Sequence, residues 1–141
     1  MFIVDANVLL YAVNDSMPRH SRAKAWIEQA LSGTESIGFT WVVLLAFVRL
    51  ATRPGIFPAP LGITDPLDLV DAWLAARPAV VVEPTGRHVS VLRGFLEEAG
   101  AAGNLVTDAH LATLSVEHGA TVCTFDTDFN RFRGVKVFAP K

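Results

Sequence analysis

The chain is poor in cysteine. Its 141 residues include one, Cys123, which lies inside the apolar segment Thr121-Val122-Cys123-Thr124-Phe125. A single cysteine excludes an internal disulfide framework and a cysteine-rich zinc site. We therefore expect Cys123 to be a buried core thiol in a protein of a reducing compartment.

Long apolar runs are also missing. The longest lies between Glu35 and Arg49, and it is shorter than the roughly 20 residues that a transmembrane helix needs. The amino-terminal segment has no basic region and carries an acid, Asp5, where a secretory leader would stay apolar. These features predict a soluble, cytoplasmic protein that does not use a membrane as a partner.

Positive charge is scarce too. The formal net charge is -2, which argues against a protein that coats nucleic acid through bulk electrostatics. A nuclease is not excluded, because a cluster of metal-binding acids would lower the total. The basic residues are nine arginines against three lysines, and arginine suits both phosphate contacts and protein interfaces.

What the chain does contain is a regular alternation of short apolar runs and amphipathic segments. A hydrophobic content of 51% and this length suit one globular domain covering residues 1–141. Strands are predicted at 2–4, 36–39, 79–84, 121–125 and 135–138. Helices are predicted after Asp5 and at 19–31, 41–52, 64–76, 86–100 and 104–118. The alternation predicts an α/β fold, a sandwich around a mostly parallel sheet.

Some helix details are also predicted from the pattern. In the third helix the residues expected to face the core are Trp41, Leu44, Leu45 and Val48. In the fifth they are Val89, Leu92, Phe95 and Leu96. Asn104 is expected to cap the sixth helix, because asparagine is a common residue at helix starts.

Four aspartates fall where predicted strands end or helices begin. Asp5 follows the first strand, Asp126 and Asp128 follow the strand that contains Cys123, and Asp108 lies in the first turn of the sixth helix. In an open parallel sheet these positions share one edge, where ligands bind. Carboxylates brought close together need a cation. Oxygen ligands without a cysteine or histidine cluster favour Mg²⁺ or Mn²⁺ over zinc.

Each aspartate also has a purely structural explanation. Asp5 could be no more than a helix N-cap, and Asp108 could interact with the helix dipole. Asp126 and Asp128 could be turn formers. The coincidence of four acids at one predicted edge favours a site over four separate caps.

The same residues resemble a known family. Asp5-Ala6-Asn7 after a strand resembles the opening of PIN domains. The segment 106–112, Val-Thr-Asp-Ala-His-Leu-Ala, is similar to their acid-bearing helix, and the segment 121–129 is similar to their closing strand and acid. Order, spacing and length resemble the VapC-type toxins of bacterial toxin–antitoxin pairs over nearly the whole chain. The segment 41–54 is similar to one VapC subgroup common in mycobacteria.

The resemblance implies a PIN-like fold, a three-layer α/β/α sandwich, and a Mg²⁺-dependent ribonuclease. It implies RNA as substrate, a cognate antitoxin as partner and a toxin homodimer. By matching motif, Asp5, Asp108 and Asp126 would be metal ligands. The remaining implied site residues are Asp128 as a helper or outer acid, Asn7 orienting Asp5 or a metal-bound water, and Thr124 forming a hydrogen bond with a carboxylate or water.

One position departs from the family pattern. Many PIN domains carry a glutamate on the helix that here includes Ala46, and this helix has no acid. The alternative function is therefore a catalytically weakened module that binds an antitoxin or RNA without cleaving. Arg49, on the same helix, is either a contact for substrate or antitoxin, or a solvated residue near the helix end.

Overall fold

The computed structural model describes residues 1–141 and contains one parallel sheet between two layers of helices. The strands are β1 Phe2–Val4, β2 Ile37–Phe39, β3 Ala79–Val81, β4 Thr121–Cys123 and β5 Lys136–Phe138. The helices are α1 Ala6–Val13, α2 His20–Leu31, α3 Trp41–Ala51, α4 Thr64–Ala75, α5 His88–Ala99 and α6 Val106–Glu117. Two 3₁₀ segments cover Gly103–Leu105 and Thr127–Arg131. The predicted α/β class is confirmed.

The strand order is β3-β2-β1-β4-β5, and every neighbouring pair is parallel. The chain therefore moves outward from β1 to β3 and then returns to the other side of β1 with β4. Right-handed crossovers place α1 to α4 on one face of the sheet and α5 and α6 on the other. In agreement, α1 packs on α2 and α3, α3 packs on α4, and α5 packs on α6. The direction of winding changes between β1 and β4, so the ligand-binding crevice of such a sheet is expected at the carboxyl ends of these two strands.

The central strands are buried because helices cover both faces. Ile3, Val4 and Val122 are completely buried, as β-branched residues of an interior parallel sheet should be. On the face of α1 to α4, Phe47 packs against Trp73 with ring centroids 4.9 Å apart. None of the helices is both long and apolar enough to cross a membrane.

Gly38 allows β2 to pack closely against the side chains of Val82 and Ile3. A Cβ at this position would lie 2.7 Å from a methyl carbon of Val82 and 3.2 Å from Cγ1 of Ile3. Val82 is β-branched and buried, so it has few alternative rotamers. A glycine is therefore needed here for close packing.

The predicted core face of α3 is wrong at two positions. Trp41 is 50% exposed and Leu45 is 61% exposed, whereas Val43 and Phe47 point into the core with Leu44. Because every residue from Trp41 to Val48 is apolar, the sequence has no polar face to mark the solvent side. Which face of α3 is buried is determined by how the helix packs against α1 and α4.

Three smaller predictions are also wrong. Val89 of α5 is 68% exposed, because α5 covers α6 from outside and has no fully buried residue. Asn104 lies within a 3₁₀ turn and does not cap α6, whose N-cap is Leu105 without a side-chain cap bond. The predicted strand 121–125 ends at Cys123, because Thr124 turns its side chain into polar contacts at the sheet edge.

Candidate metal centre

Asp5 leaves the carboxyl end of β1 and is held by three donors. Its Oδ1 accepts the N–H of Ala6 at 2.7 Å, so Asp5 is also the N-cap of α1. Its Oδ2 accepts the hydroxyl of Thr124 at 2.7 Å and Nδ2 of Asn7 at 3.0 Å. The carboxylate of Asp5 can therefore cap α1 and belong to the site at the same time. The three hydrogen bonds fix its orientation.

Asn7 and Thr124 join the two strands that flank the crevice. Nδ2 of Asn7 donates to Oγ1 of Thr124 at 3.0 Å, and Oδ1 of Asn7 accepts the N–H of Phe125 at 3.1 Å. Oγ1 of Thr124 in turn accepts the N–H of Asp126 at 3.0 Å. The start of α1 and the end of β4 are thus connected by side-chain hydrogen bonds directly beside Asp5.

Asp126 and Asp128 occupy the turn that follows β4. Oδ1 of Asp126 accepts the N–H of Asp128 at 2.8 Å and caps the 3₁₀ segment Thr127–Arg131. Asp126 is half-buried and faces Asp5 closely enough to raise the pKa of Asp5 through charge repulsion. Asp128 is exposed. Asp126 and Asp128 therefore both form the turn after β4 and belong to the acidic edge.

Asp108 comes from the other helix layer, in the first turn of α6. Burial, followed by the charges of Asp5, Asp126 and Asp128, raises its pKa to about 6, and Arg131 partly offsets this. Burial is also the main cause of the raised pKa of Asp5. The four predicted acids therefore share one electrostatic neighbourhood whose negative charge is not neutralised by the protein.

This acidic edge fits a hard divalent cation. No group of three or more acidic, histidine or cysteine side chains lies close enough together to hold a metal ion between them. Mg²⁺, however, usually takes one or two carboxylates and keeps several waters. Repulsion among the carboxylates and an oxygen-only donor set both favour such an ion. The buried hydroxyl of Thr40, at the end of the adjacent strand β2, has no hydrogen-bond partner.

Comparison with known proteins assigns the chain to a family. Residues 2–135 match the model of the PIN domain. The chain is 53% identical over 136 residues to Ribonuclease VapC37 of Mycobacterium tuberculosis, covering 96% of this chain and 94% of the relative. It is 38% identical over 136 residues to Ribonuclease VapC33 of the same species, covering 96% and 95% of the two chains. The chain belongs to the VapC family of PIN domain proteins.

Solved structures show that the fold of this VapC-family protein is shared more widely. VapBC2 from Rickettsia felis, crystallised with a promoter DNA fragment, matches with a TM-score of 0.71 at 16% identity, covering 99% of this chain and 98% of the other. The crystal structure of M. tuberculosis VapC20, described as a toxin that cleaves the sarcin-ricin loop, matches with a TM-score of 0.69 at 18% identity, covering 92% and 93%. At these identities the likeness concerns the fold.

Two residues considered from the sequence lie on α3 of this VapC-family protein. Arg49 is exposed in the last turn of α3, separated from Thr40 at the acidic edge by nine residues, or about 13 Å of helical rise. Ala46 is half-buried on the same helix. Helix α3 therefore brings no acid to the cluster, and the backbone of Arg49 lies at the end of the helix far from the acidic edge.

Sequence reasoning missed two arginines near the acids. Arg19 lies over the ring of Phe125, with its guanidinium carbon 5.2 Å from the ring centroid. Arg131 ends the 3₁₀ segment that Asp126 begins, and its charge acts on Asp108. The spacing between Asp128 and Arg131 could have indicated the second. Nothing in the sequence links Arg19 to Phe125.

Proposed function

We propose that this VapC-family protein is a metal-dependent endoribonuclease, the toxin of a toxin–antitoxin pair, with residues 1–141 acting as one domain. The observation that carries the proposal is that Asp5, Asp108 and Asp126 lie near the switch point between β1 and β4, and near enough to one another for their charges to raise the pKa values of Asp5 and Asp108. It is supported by relatives that are named ribonucleases and cover almost the whole chain.

The metal ligands in this proposal are Asp5, Asp108 and Asp126, with Asp128 as an outer acid. When bound, Mg²⁺ or Mn²⁺ would supply an activated water and offset negative charge on the phosphodiester. Thr124 and Asn7 hold Asp5 in one rotamer through bonds of 2.7 and 3.0 Å. Hydrogen bonds of this kind, made to a metal-binding side chain, orient it, and their removal commonly lowers metal affinity 10–100-fold.

Partners of this chain are proposed from its surface and its relatives. Crystal structures of VapBC complexes share the fold, which supports a cognate antitoxin. An exposed apolar surface, formed by Trp41, Leu45 and Leu67 on α3 and α4, could bind a protein. A homodimer is the second proposed use of such a surface, and light scattering of the purified chain would test it. The proposed setting is the cytoplasm.

The alternative, a module that binds without cleaving, was suggested by the missing acid near Ala46. It is not favoured, because the acids of the other three segments are retained in one neighbourhood. Mg²⁺ binding through one or two carboxylates does not need an acid from α3.

The test is cleavage of bulk bacterial RNA by the purified chain with Mg²⁺ or Mn²⁺, with the Asp5→Ala variant assayed in parallel. We expect cleavage by the unmodified chain and a loss of several kcal/mol of transition-state stabilisation, more than about 1,000-fold in rate, for Asp5→Ala. The control is Asp71→Ala on the exposed surface of α4, which should cut normally. Equal activity of the unmodified chain and Asp5→Ala would refute the mechanism.

A further inference from the structure

Thr40 lies where β2 ends and α3 begins, and the protein makes no use of its hydroxyl. The residue is 2% exposed, and its Oγ1 is the one buried side-chain nitrogen or oxygen atom that has no hydrogen-bond partner. The backbone carbonyl of Thr40 accepts the N–H groups of Val43 and Leu44 at 3.1 and 3.0 Å, but the side chain makes no cap bond to α3. A buried hydroxyl without a partner lowers stability, so this oxygen is available for a ligand.

The strand register places Thr40 beside Asp5. β1 and β2 pair in parallel with Ile3 opposite Gly38, and a Cβ on Gly38 would lie 3.2 Å from Cγ1 of Ile3, so both positions face the same side of the sheet. Asp5 and Thr40 each follow two residues later, and both have an extended backbone. Side chains two residues apart in an extended chain point to the same face, and neighbouring strands lie about 4.8 Å apart. Asp5 and Thr40 are therefore neighbours on one face.

Thr124 occupies the corresponding place on the other side of Asp5. β1 and β4 pair with Val4 opposite Cys123, and the next residues of the two strands are Asp5 and Thr124. Oγ1 of Thr124 donates to Oδ2 of Asp5 at 2.7 Å, as this register requires. Hydroxyl side chains therefore flank Asp5 at the ends of the three central strands β2, β1 and β4. The hydroxyl of Thr124 is bonded to the carboxylate, whereas that of Thr40 is not.

The other side chains that begin helical segments at this edge are bonded to their own segments. Oδ1 of Asp5 accepts the N–H of Ala6, and Oδ1 of Asp126 accepts the N–H of Asp128. Helix α3 packs against α1 but carries no acid. Thr40 is therefore the polar side chain that the start of α3 contributes to the acidic edge.

We propose that Thr40 is a positioning residue of the acidic edge, whose hydroxyl forms a hydrogen bond with a water of the divalent cation held at Asp5. The inference rests on the proposed metal-dependent ribonuclease function and adds to it a residue from β2. Mg²⁺ bound to a protein keeps several of its waters, and a threonine hydroxyl can accept a hydrogen bond from one of them. Waters inside proteins bind to polar groups that otherwise lack a partner.

The burial of Thr40 favours a water over a phosphate of RNA as its ligand. The residue is almost completely buried, and a phosphate that belongs to a polymer stays at the surface of the protein. A water needs only the space of about one water-sized sphere and two to four polar partners. Thr40 therefore acts on the hydration of the cation and does not contact the substrate.

The experiment measures metal binding by the purified full chain and does not depend on cleavage. Mn²⁺ is titrated into the metal-free protein, and the electron paramagnetic resonance signal of the free ion gives the affinity. Thr40→Val keeps the shape of the side chain without the hydroxyl, whereas Thr40→Ser keeps the hydroxyl. The matched control is Thr113→Val, because Thr113 is also buried but its Oγ1 donates to the carbonyl of Ala109 at 2.7 Å. Asp5→Ala is the control for the site itself.

We expect Thr40→Val to bind Mn²⁺ about tenfold more weakly than the unmodified chain, as for a lost outer contact of a metal site. Thr40→Ser should recover most of this affinity, and Thr113→Val should bind like the unmodified chain. In urea with EDTA, Thr40→Val should be at least as stable as the unmodified chain, because valine removes a buried oxygen that has no partner. A purely structural threonine predicts the opposite, namely lower stability in EDTA and unchanged affinity.

The inference and the proposed function fail in different ways. If Asp5→Ala loses Mn²⁺ binding but Thr40→Val keeps the affinity of the unmodified chain, the inference is wrong and the proposed function stands. Equal losses in Thr40→Val and Thr113→Val, or no recovery in Thr40→Ser, would also overturn the inference. If the unmodified chain binds no Mn²⁺, or Asp5→Ala binds it equally well, the metal site of the proposed function is wrong and the inference fails with it.

Discussion

Replacement of Asp108 by asparagine should stabilise the metal-free protein at neutral pH. The pKa of Asp108 is raised from 3.8 to about 6 by burial and by neighbouring carboxylates. At about 1.36 kcal/mol per pKa unit, this difference corresponds to at most about 3 kcal/mol. Because the side chain is only half-buried, solvent screening reduces the expected gain to about 1 kcal/mol.

The pH dependence gives the sign of the effect. The folded state holds the proton of Asp108 more tightly than the unfolded state, so its contribution to stability is lost as pH rises from about 4 to about 6. Below that window the carboxyl is protonated in both states, and the asparagine variant should have no advantage. Urea unfolding at pH 3.5 and pH 7.5, with EDTA present, measures the difference directly.

Added Mg²⁺ provides the control for this prediction. A bound cation neutralises the cluster and stabilises the folded aspartate form by mass action, so the advantage of Asp108→Asn should shrink or reverse at millimolar Mg²⁺. A variant that is less stable than the unmodified chain at pH 7.5 without metal, or equally shifted at both pH values, would show that charge repulsion does not govern this side chain.

Three further predictions concern single contacts. Thr124→Val removes the hydroxyl that donates to Asp5 at 2.7 Å and should weaken Mg²⁺ binding 10–100-fold in calorimetry; unchanged affinity would contradict the orienting role. Gly38→Ala introduces a Cβ 2.7 Å from Val82 and should lower the free energy of unfolding by about 1–2 kcal/mol in urea, which a neutral result would refute. Burial raises the pKa of the Cys123 thiol, so a disulfide reagent should label it only after unfolding, and rapid labelling of the folded chain would contradict its burial.

The fold could be predicted because its signals are local. Buried strands such as Phe2–Val4 are short apolar runs, and Gly119 ends α6 in a left-handed conformation that glycine adopts readily. The helices that alternate with them require a parallel sheet with crossovers. The face of α3 could not be predicted, since Trp41 and Leu45 are as apolar as the residues that are buried.

Only the part of the candidate site that lies at the ends of predicted strands could be predicted from the sequence. Asp5 and Asp126 follow β1 and β4, and the parallel order of these strands brings them to one edge. The hydrogen bonds of Asn7, in contrast, depend on which strands are neighbours, and the contact of Arg19 with Phe125 depends on how α2 packs. Long-range packing of this kind leaves no periodic mark in the sequence.

The pairing of β1 with β4 also determines when the site can form during synthesis. The hydrogen bond between Thr124 and Asp5 joins residues 119 positions apart. Asp5 therefore cannot make this bond until the segment that contains β4 and Thr124 has been synthesised. Domains acquire structure as they emerge from the ribosome, amino terminus first. A nascent or truncated chain that ends before β4 therefore holds Asp5 without its hydrogen-bond donor and without Asp126. Only a polypeptide that already includes β4 and the turn after it can assemble the acidic edge.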